Sequence, residues 1–406
     1  MHNYKNISFF EGLNSLRFLA ALLVVIHHAE SIRHKYGLPN LSCLGLFRNG
    51  GTAVLFFFVL SGFLITYLLL KENNHTGTIS ISKFYLSRLL RIWPLYYLLI
   101  IIGTVILPLL FNLLQLDYKL PYTLGTTWYY FVFFLPGLVT FFYGHHFLEA
   151  LWSIGVEEVF YVIWAPIFKF GSKRILPVLL SIIALTLTLR LIGQLFIANK
   201  LFNYLINTFH FDAMAIGGLG AYFVYHREKP LSALLLYKIP VQCLLYLILT
   251  LFLLFNSNID HFVWNTLFKL PVVAPLFINF LFLYLIIGVS LVETNLIQLR
   301  SRLFAYLGTI SYGIYMYHMM IIFSIVLILK KMLIKMDLFG STLLFYSLLL
   351  VMIILVAGIS KYYFENYFLR LKSRLHKKQY HSSSDSSLIW VTHNGQPPQK
   401  EAAISK

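Results

Sequence analysis

Charge is what this sequence has least of. Asp, Glu, Lys and Arg make up 12 % of its 406 residues, about half the share in a soluble domain. With a mean hydropathy of +0.76, that scarcity excludes a water-soluble globule and a chain disordered throughout. Cysteine is nearly missing as well. Cys43 and Cys243 are the only two, and Cys243 sits inside an apolar run, so no disulfide framework is available. Acid is scarcer than base, with 15 acidic residues against 32 basic and a net charge of +17. In a soluble protein this excess would suggest nucleic acid. No basic-aromatic module of the kind nucleic acid needs accompanies it. Basic loops meeting anionic lipid headgroups account for it instead. The first apolar run carries Arg17, His27 and His28 and lacks a small-residue cleavage site, so it reads as a retained span, not a signal peptide. No internal repeat is visible, which weakens an inverted-repeat transporter.

What the chain has in abundance is apolar length. The expected fold class is all-α polytopic membrane protein, because a span needs about 20 mostly apolar residues. Eleven runs qualify as candidates, near 13–31, 52–70, 90–110, 128–142, 149–168, 174–196, 207–225, 238–256, 271–292, 305–329 and 341–364. The run at 128–142 is the shortest and contains Pro136 and Gly137. Basic residues decide its placement. If it does not cross and the N-terminus is cytoplasmic, 21 basic residues fall inside and 9 outside, with Arg17 and Arg190 within spans. If it crosses, Lys169 to Arg174 and the basic tail face outward. The expectation is therefore about ten transmembrane helices, both termini cytoplasmic, and 128–142 as a re-entrant or interfacial segment. Residues 1–369 form the membrane domain. Residues 370–406, basic and then polar, read as a disordered cytoplasmic tail.

Ionisable groups inside spans are functional candidates. Arg17 and His28 are eleven residues apart, which is about 20° beyond three full helical turns, so they share one face at a separation of roughly 16 Å. Arg17 supplies a fixed cation toward the cytoplasm, or snorkels to the inner headgroups. His28 suits proton removal, or is an interfacial histidine. His27 points about 100° away and reads as structural. Adjacent imidazoles diverge and no third ligand is evident, so no metal is expected.

Arg88 and Arg91 are three apart and share a face at the cytoplasmic mouth of their span. They form a phosphate clamp or an ordinary basic flank. Trp93 and Tyr96 read as interface aromatics. Glu157 and Glu158 stand halfway along a span, where at least one should face a polar cavity, with Arg17 or His28 as partner; a structural ion pair is the alternative. Trp152 and Ser153 lie about one turn earlier. His318 lies within a later span. Asp212 reads as a helix N-cap, and Gly217 and Gly218 permit close helix approach. Tyr312 and Tyr315 read as packing. Ser61 and Gly62 are candidates for letting a narrow substrate pass between helices.

In order, LNSLRFLAALLVVIHH, FFFVLSGFLITYLLL, RLLRIWPLYY, LWSIGVEEVFY, FDAMAIGGLGAY and ISYGIYMYH resemble the acyltransferase-3 family of integral-membrane acyltransferases over about residues 10–366. The resemblance implies transfer of an acyl group, commonly acetyl, from cytoplasmic acyl-coenzyme A to a hydroxyl of a sugar or other acceptor. The family's Arg-X10-His motif maps onto Arg17 and His28, and its Arg-X-X-Arg motif onto Arg88 and Arg91. Its acidic motif maps onto Glu157, with Glu158 beside it, and its later histidine onto His318. Asn14 and Ser15 stand where many relatives have Asp and Gly; Gly155 and Val159 stand where Ser and Gln are common. Many relatives carry a further hydrolase-like domain, where here only a polar tail follows. The resemblance thus implies a bacterial inner-membrane O-acyltransferase. His28 would be the base, Arg17 and Glu157 would assist it, and Arg88 and Arg91 would hold the donor. Ser61, Ser153, Trp152, Glu158 and His318 are further candidates. A direct transfer and an acyl-His28 intermediate both stay open. So does a competing class, a transporter or flippase that uses the buried charges as a proton relay.

Overall fold

The computed structural model describes residues 4–116, 118–255 and 272–372. Among these the regular structure is helical, without a strand. The expected tail falls almost wholly outside the described residues. The long helices are α1 (Leu13–Lys35), α2 (Gly50–Thr76), α3 (Ile81–Ile101), α7 (Trp152–Gly171), α8 (Ile175–Phe196), α10 (Phe211–Tyr225), α11 (Ile239–Phe255), α12 (Val273–Leu291), α14 (Ser311–Leu333) and α15 (Leu338–Ile359). Each of the ten runs read as spans coincides with one of them. Seven described stretches are long and apolar enough to cross a bilayer. One of these, Glu149–Phe196, is 48 residues long and holds both α7 and α8, joined at Ser172–Arg174. Its basic corner, Lys173 and Arg174, lies where the charge argument needs a turn.

The run at 128–142 is not one helix. It divides into α5 (Leu124–Val132) and α6 (Pro136–Tyr143), each far too short to cross at 1.5 Å per residue. The break is at Phe134, whose φ is +57°. Its carbonyl lies where a Cβ on Gly155 would sit. Gly155 therefore lets this broken segment press against α7, where any side chain would push it away.

Short helices α4 (Leu107–Leu113), α9 (Lys200–Thr208) and α13 (Arg302–Thr309) complete the set. Two wide-turn segments interrupt long helices: Ile102–Ile106 joins α3 to α4, and Ser360–Glu365 extends α15. Wide turns of this kind occur often near functional sites.

Large apolar side chains face outward, among them Leu185 on α8, Leu247 on α11 and Leu355 on α15. That surface suits hydrocarbon. The interior is built around α2 and α10. A Cβ on Gly62 would strike the Met214 backbone, and one on Gly217 would strike the Val59 carbonyl. The two helices therefore meet backbone to backbone, as the glycines predict. The same contact overturns the reading of Gly62 as a passage between helices, because the space it leaves is filled by α10. The α1 helix packs against α2, α13 and α14, which brings Arg17 and His28 into the bundle.

Candidate active site

The predicted residues gather in two groups, one at each end of the α1 stripe. The lower group forms around Arg17. Its Nη1 donates to Asn14 Oδ1 at 2.9 Å, and Arg88, Arg91 and Glu157 are its electrostatic neighbours. The Asn14 amide orients the guanidinium without neutralising it, as a carboxylate at that position would. Arg88 lies over the rings of Phe84 and Tyr161, at 5.7 and 5.8 Å, and its buried Nε has no hydrogen-bond partner. None of Arg17, Arg88 or Arg91 forms a salt bridge among the described residues. Three guanidinium groups thus converge with Glu157 near them but no carboxylate in salt-bridge contact, and all three keep partial access.

Glu157 is held beside them by hydroxyl groups. Ser61 Oγ donates to one carboxylate oxygen at 3.0 Å and Tyr161 OH to the other at 2.7 Å. Of the two partners the sequence offered for Glu157, Arg17 is its electrostatic neighbour. No hydrogen bond joins Glu157 to His28. Glu158 points elsewhere: Trp93 Nε1 donates to its Oε2 at 3.0 Å, and its buried Oε1 has no partner. Trp93 thus has a partner inside the protein, and Tyr96, read with it as an interface aromatic, is instead fully buried with its hydroxyl donating to the Phe131 carbonyl at 3.0 Å.

The upper group forms around His28. Its Nδ1 lies 3.0 Å from the Val24 carbonyl and 3.1 Å from Nε2 of the fully buried His318. His318 Nδ1 in turn meets the Tyr315 carbonyl. His28 itself is only half-buried. His27 turns away, its Nδ1 donating to the Phe47 carbonyl at 3.1 Å. Tyr315 ties this group to α7, because its hydroxyl is 2.6 Å from Ser153 Oγ. Both hydroxyls also reach the Ala150 carbonyl. Trp152 packs its ring on Phe58.

The structure corrects one further reading. Asp212 caps no helix. It makes a bidentate pair with Arg190 at 2.8 Å for both contacts, and Arg190 also donates to His210 Nδ1 and the Ile206 carbonyl. Sequence reasoning missed Tyr161. Its spacing of four from Glu157 on one helix was the available signal. Among the described residues no group of three His, Cys, Asp or Glu gathers as a metal ligand set.

A cation cluster and an imidazole pair at opposite ends of a shared helix are an arrangement compatible with group transfer. The model of an acyltransferase domain family matches residues 10–361. The chain belongs to this acyltransferase family. It is an integral membrane protein, as the family and the apolar helices require. A Staphylococcus aureus (strain COL) protein, named provisionally as an O-acetyltransferase, is 33 % identical over 165 residues, covering 39 % of this chain and 24 % of the relative. A Bacillus subtilis (strain 168) relative, YrhL, named provisionally as a peptidoglycan O-acetyltransferase, is 30 % identical over 168 residues, 40 % of this chain and 24 % of its own length. The Listeria monocytogenes peptidoglycan O-acetyltransferase OatA is 24 % identical over 330 residues, 77 % of this chain and 49 % of its own. The matched region thus spans between a quarter and a half of these relatives. No solved structure matches the chain.

Proposed function

We propose that this protein transfers an acyl group, acetyl by preference, from cytoplasmic acyl-coenzyme A to a hydroxyl of a glycan beyond the inner membrane. Ten spans with both termini inside, and α5–α6 as a segment that enters without crossing, set the geometry of that reading. The observation that carries it is the convergence of Arg17, Arg88 and Arg91 with no carboxylate salt-bridged to them. Buried guanidinium groups are costly unless an anion meets them, and a polyphosphate donor is such an anion. The names of the peptidoglycan O-acetyltransferase relatives support a glycan acceptor.

In this mechanism Arg88 and Arg91 hold the donor phosphates at the inner face, and Glu157, fixed by Ser61 and Tyr161, supplies the negative charge nearest Arg17, which Asn14 orients. The thioester then lies farther along α1, near His28. His28 accepts the proton of the acceptor hydroxyl as that oxygen attacks the thioester carbonyl. The C–O bond forms, the C–S bond breaks, and the leaving thiolate takes the proton back from the imidazole. Replacing His28 by Ala removes the base and leaves the packing of α1 almost unchanged. Transfer from acetyl-coenzyme A by purified His28→Ala protein in vesicles should fall by at least about 100-fold, at unchanged expression and insertion. Activity near that of the unaltered protein would remove His28 from the chemistry.

A further inference from the structure

We propose that His318 is a positioning residue that fixes the tautomer of His28, leaving Nε2 of His28 as the free base. The inference deepens the preceding reading and rests on it for its catalytic meaning. The hydrogen-bond geometry, however, can be tested separately.

The argument is one of donors and acceptors. A carbonyl oxygen only accepts. His318 Nδ1 meets the Tyr315 carbonyl, so its proton sits on Nδ1, and Nε2 of the neutral ring offers a lone pair. That lone pair faces His28 Nδ1 at 3.1 Å. The second neighbour of His28 Nδ1, at 3.0 Å, is the Val24 carbonyl, another acceptor. Both neighbours accept, so His28 Nδ1 must carry the proton and share it between them. His28 Nε2 is then unprotonated, and among the described residues it has no hydrogen-bond partner. The opposite tautomer would set the Nδ1 lone pair against two others in a buried place.

The Val24 carbonyl lies one turn away on the same helix and would favour this tautomer by itself. What His318 adds is a second acceptor from α14, fully buried and held by its own helix. It fixes the ring plane as well as the proton. When His28 takes up a proton on Nε2, the Nδ1–H bond to His318 becomes charge-assisted and stronger. The arrangement therefore favours the charged ring that the transfer step creates.

The test uses the full-length protein in lipid, with 15N-labelled histidine. Solid-state NMR, with His28→Ala for assignment, should show His28 Nδ1 bearing hydrogen and Nε2 as a bare, pyridine-type nitrogen. His318→Leu should lower kcat by about 10- to 100-fold with KM for the donor unchanged, a part of the general-base contribution. His318→Gln places an amide carbonyl near the lost acceptor and should recover most of that loss. Hydrogen on Nε2 in the unaltered protein would overturn the proposal. So would His318→Leu with kcat within twofold, or a Gln variant no better than Leu. If His28→Ala stays active while the NMR pattern holds, the base assignment fails and the tautomer assignment stands.

Discussion

The protein buries arginines in two ways. Arg190 is closed: it has a bidentate carboxylate, an imidazole and a carbonyl and is 1 % exposed. Arg33 is closed too, with Glu30 at 2.7 Å, Thr342 at 2.9 Å, and Phe345 beneath its guanidinium. Arg17, Arg88 and Arg91 are open. Their contacts are an amide, two aromatic rings and one another, with Glu157 near but not salt-bridged. A closed arginine has its charge met inside the protein, and an open one leaves room for the anion that the proposed donor supplies. The histidines divide the same way. In the loop between α6 and α7, His146 is sealed, its Nδ1 accepting from the Leu148 N–H and its Nε2 donating to Thr140. His28 keeps one nitrogen bare.

The contrast breaks most visibly at the closed end. Arg190→Met leaves Asp212 buried without a partner and should cost about 3–5 kcal/mol of stability. Thermal unfolding in detergent reads this loss, and a Tm near that of the unaltered protein would mean the pair is not structural. At the open end the expectation reverses. Arg88→Gln should raise KM for the acyl donor by about 10- to 100-fold, the equivalent of one charge-assisted contact, while Tm stays put. A lower Tm with KM unchanged would make Arg88 a closed arginine after all.

The smallest effect concerns His146. Burial pushes its imidazole down to about 3, while an unfolded histidine titrates near 6.5. Between these values the unfolded chain binds more protons than the folded one, so stability falls as pH drops below about 6.5. At pH 5 the loss from this residue is roughly 2 kcal/mol. His146→Gln should remove that share of the stability lost between pH 7 and pH 5, read as a smaller drop in Tm between the two. An unchanged difference would show that His146 titrates freely.

Much of the fold was legible because hydrocarbon leaves few choices. Every buried backbone group must be satisfied within a helix, so apolar run length alone located ten helices. Gly217 and Gly218 announced the α2–α10 contact for the same kind of reason, since only small residues allow that approach. Partner choice was less legible. Asp212 looked like a cap because a cap partner lies within three residues, whereas Arg190 is 22 residues away on another helix. Trp93 looked like an interface aromatic because nothing local showed that Glu158 lies beside it. Glu157 had two candidate partners, and helix phase could not choose between them.

The sequence by itself determined which side chains share a face. It aligned Arg17 with His28, paired Arg88 with Arg91 and set Glu157 inside a span, because 3.6 residues per turn is a property of the backbone alone. Only the tertiary structure decided which faces meet. It gave His28 a second imidazole, Glu157 two hydroxyl donors, Arg190 its aspartate, and three arginines no salt-bridged carboxylate. Helix phase is a local quantity. Helix rotation is settled by packing across the whole bundle, through glycines and bulky side chains far from the charges they align.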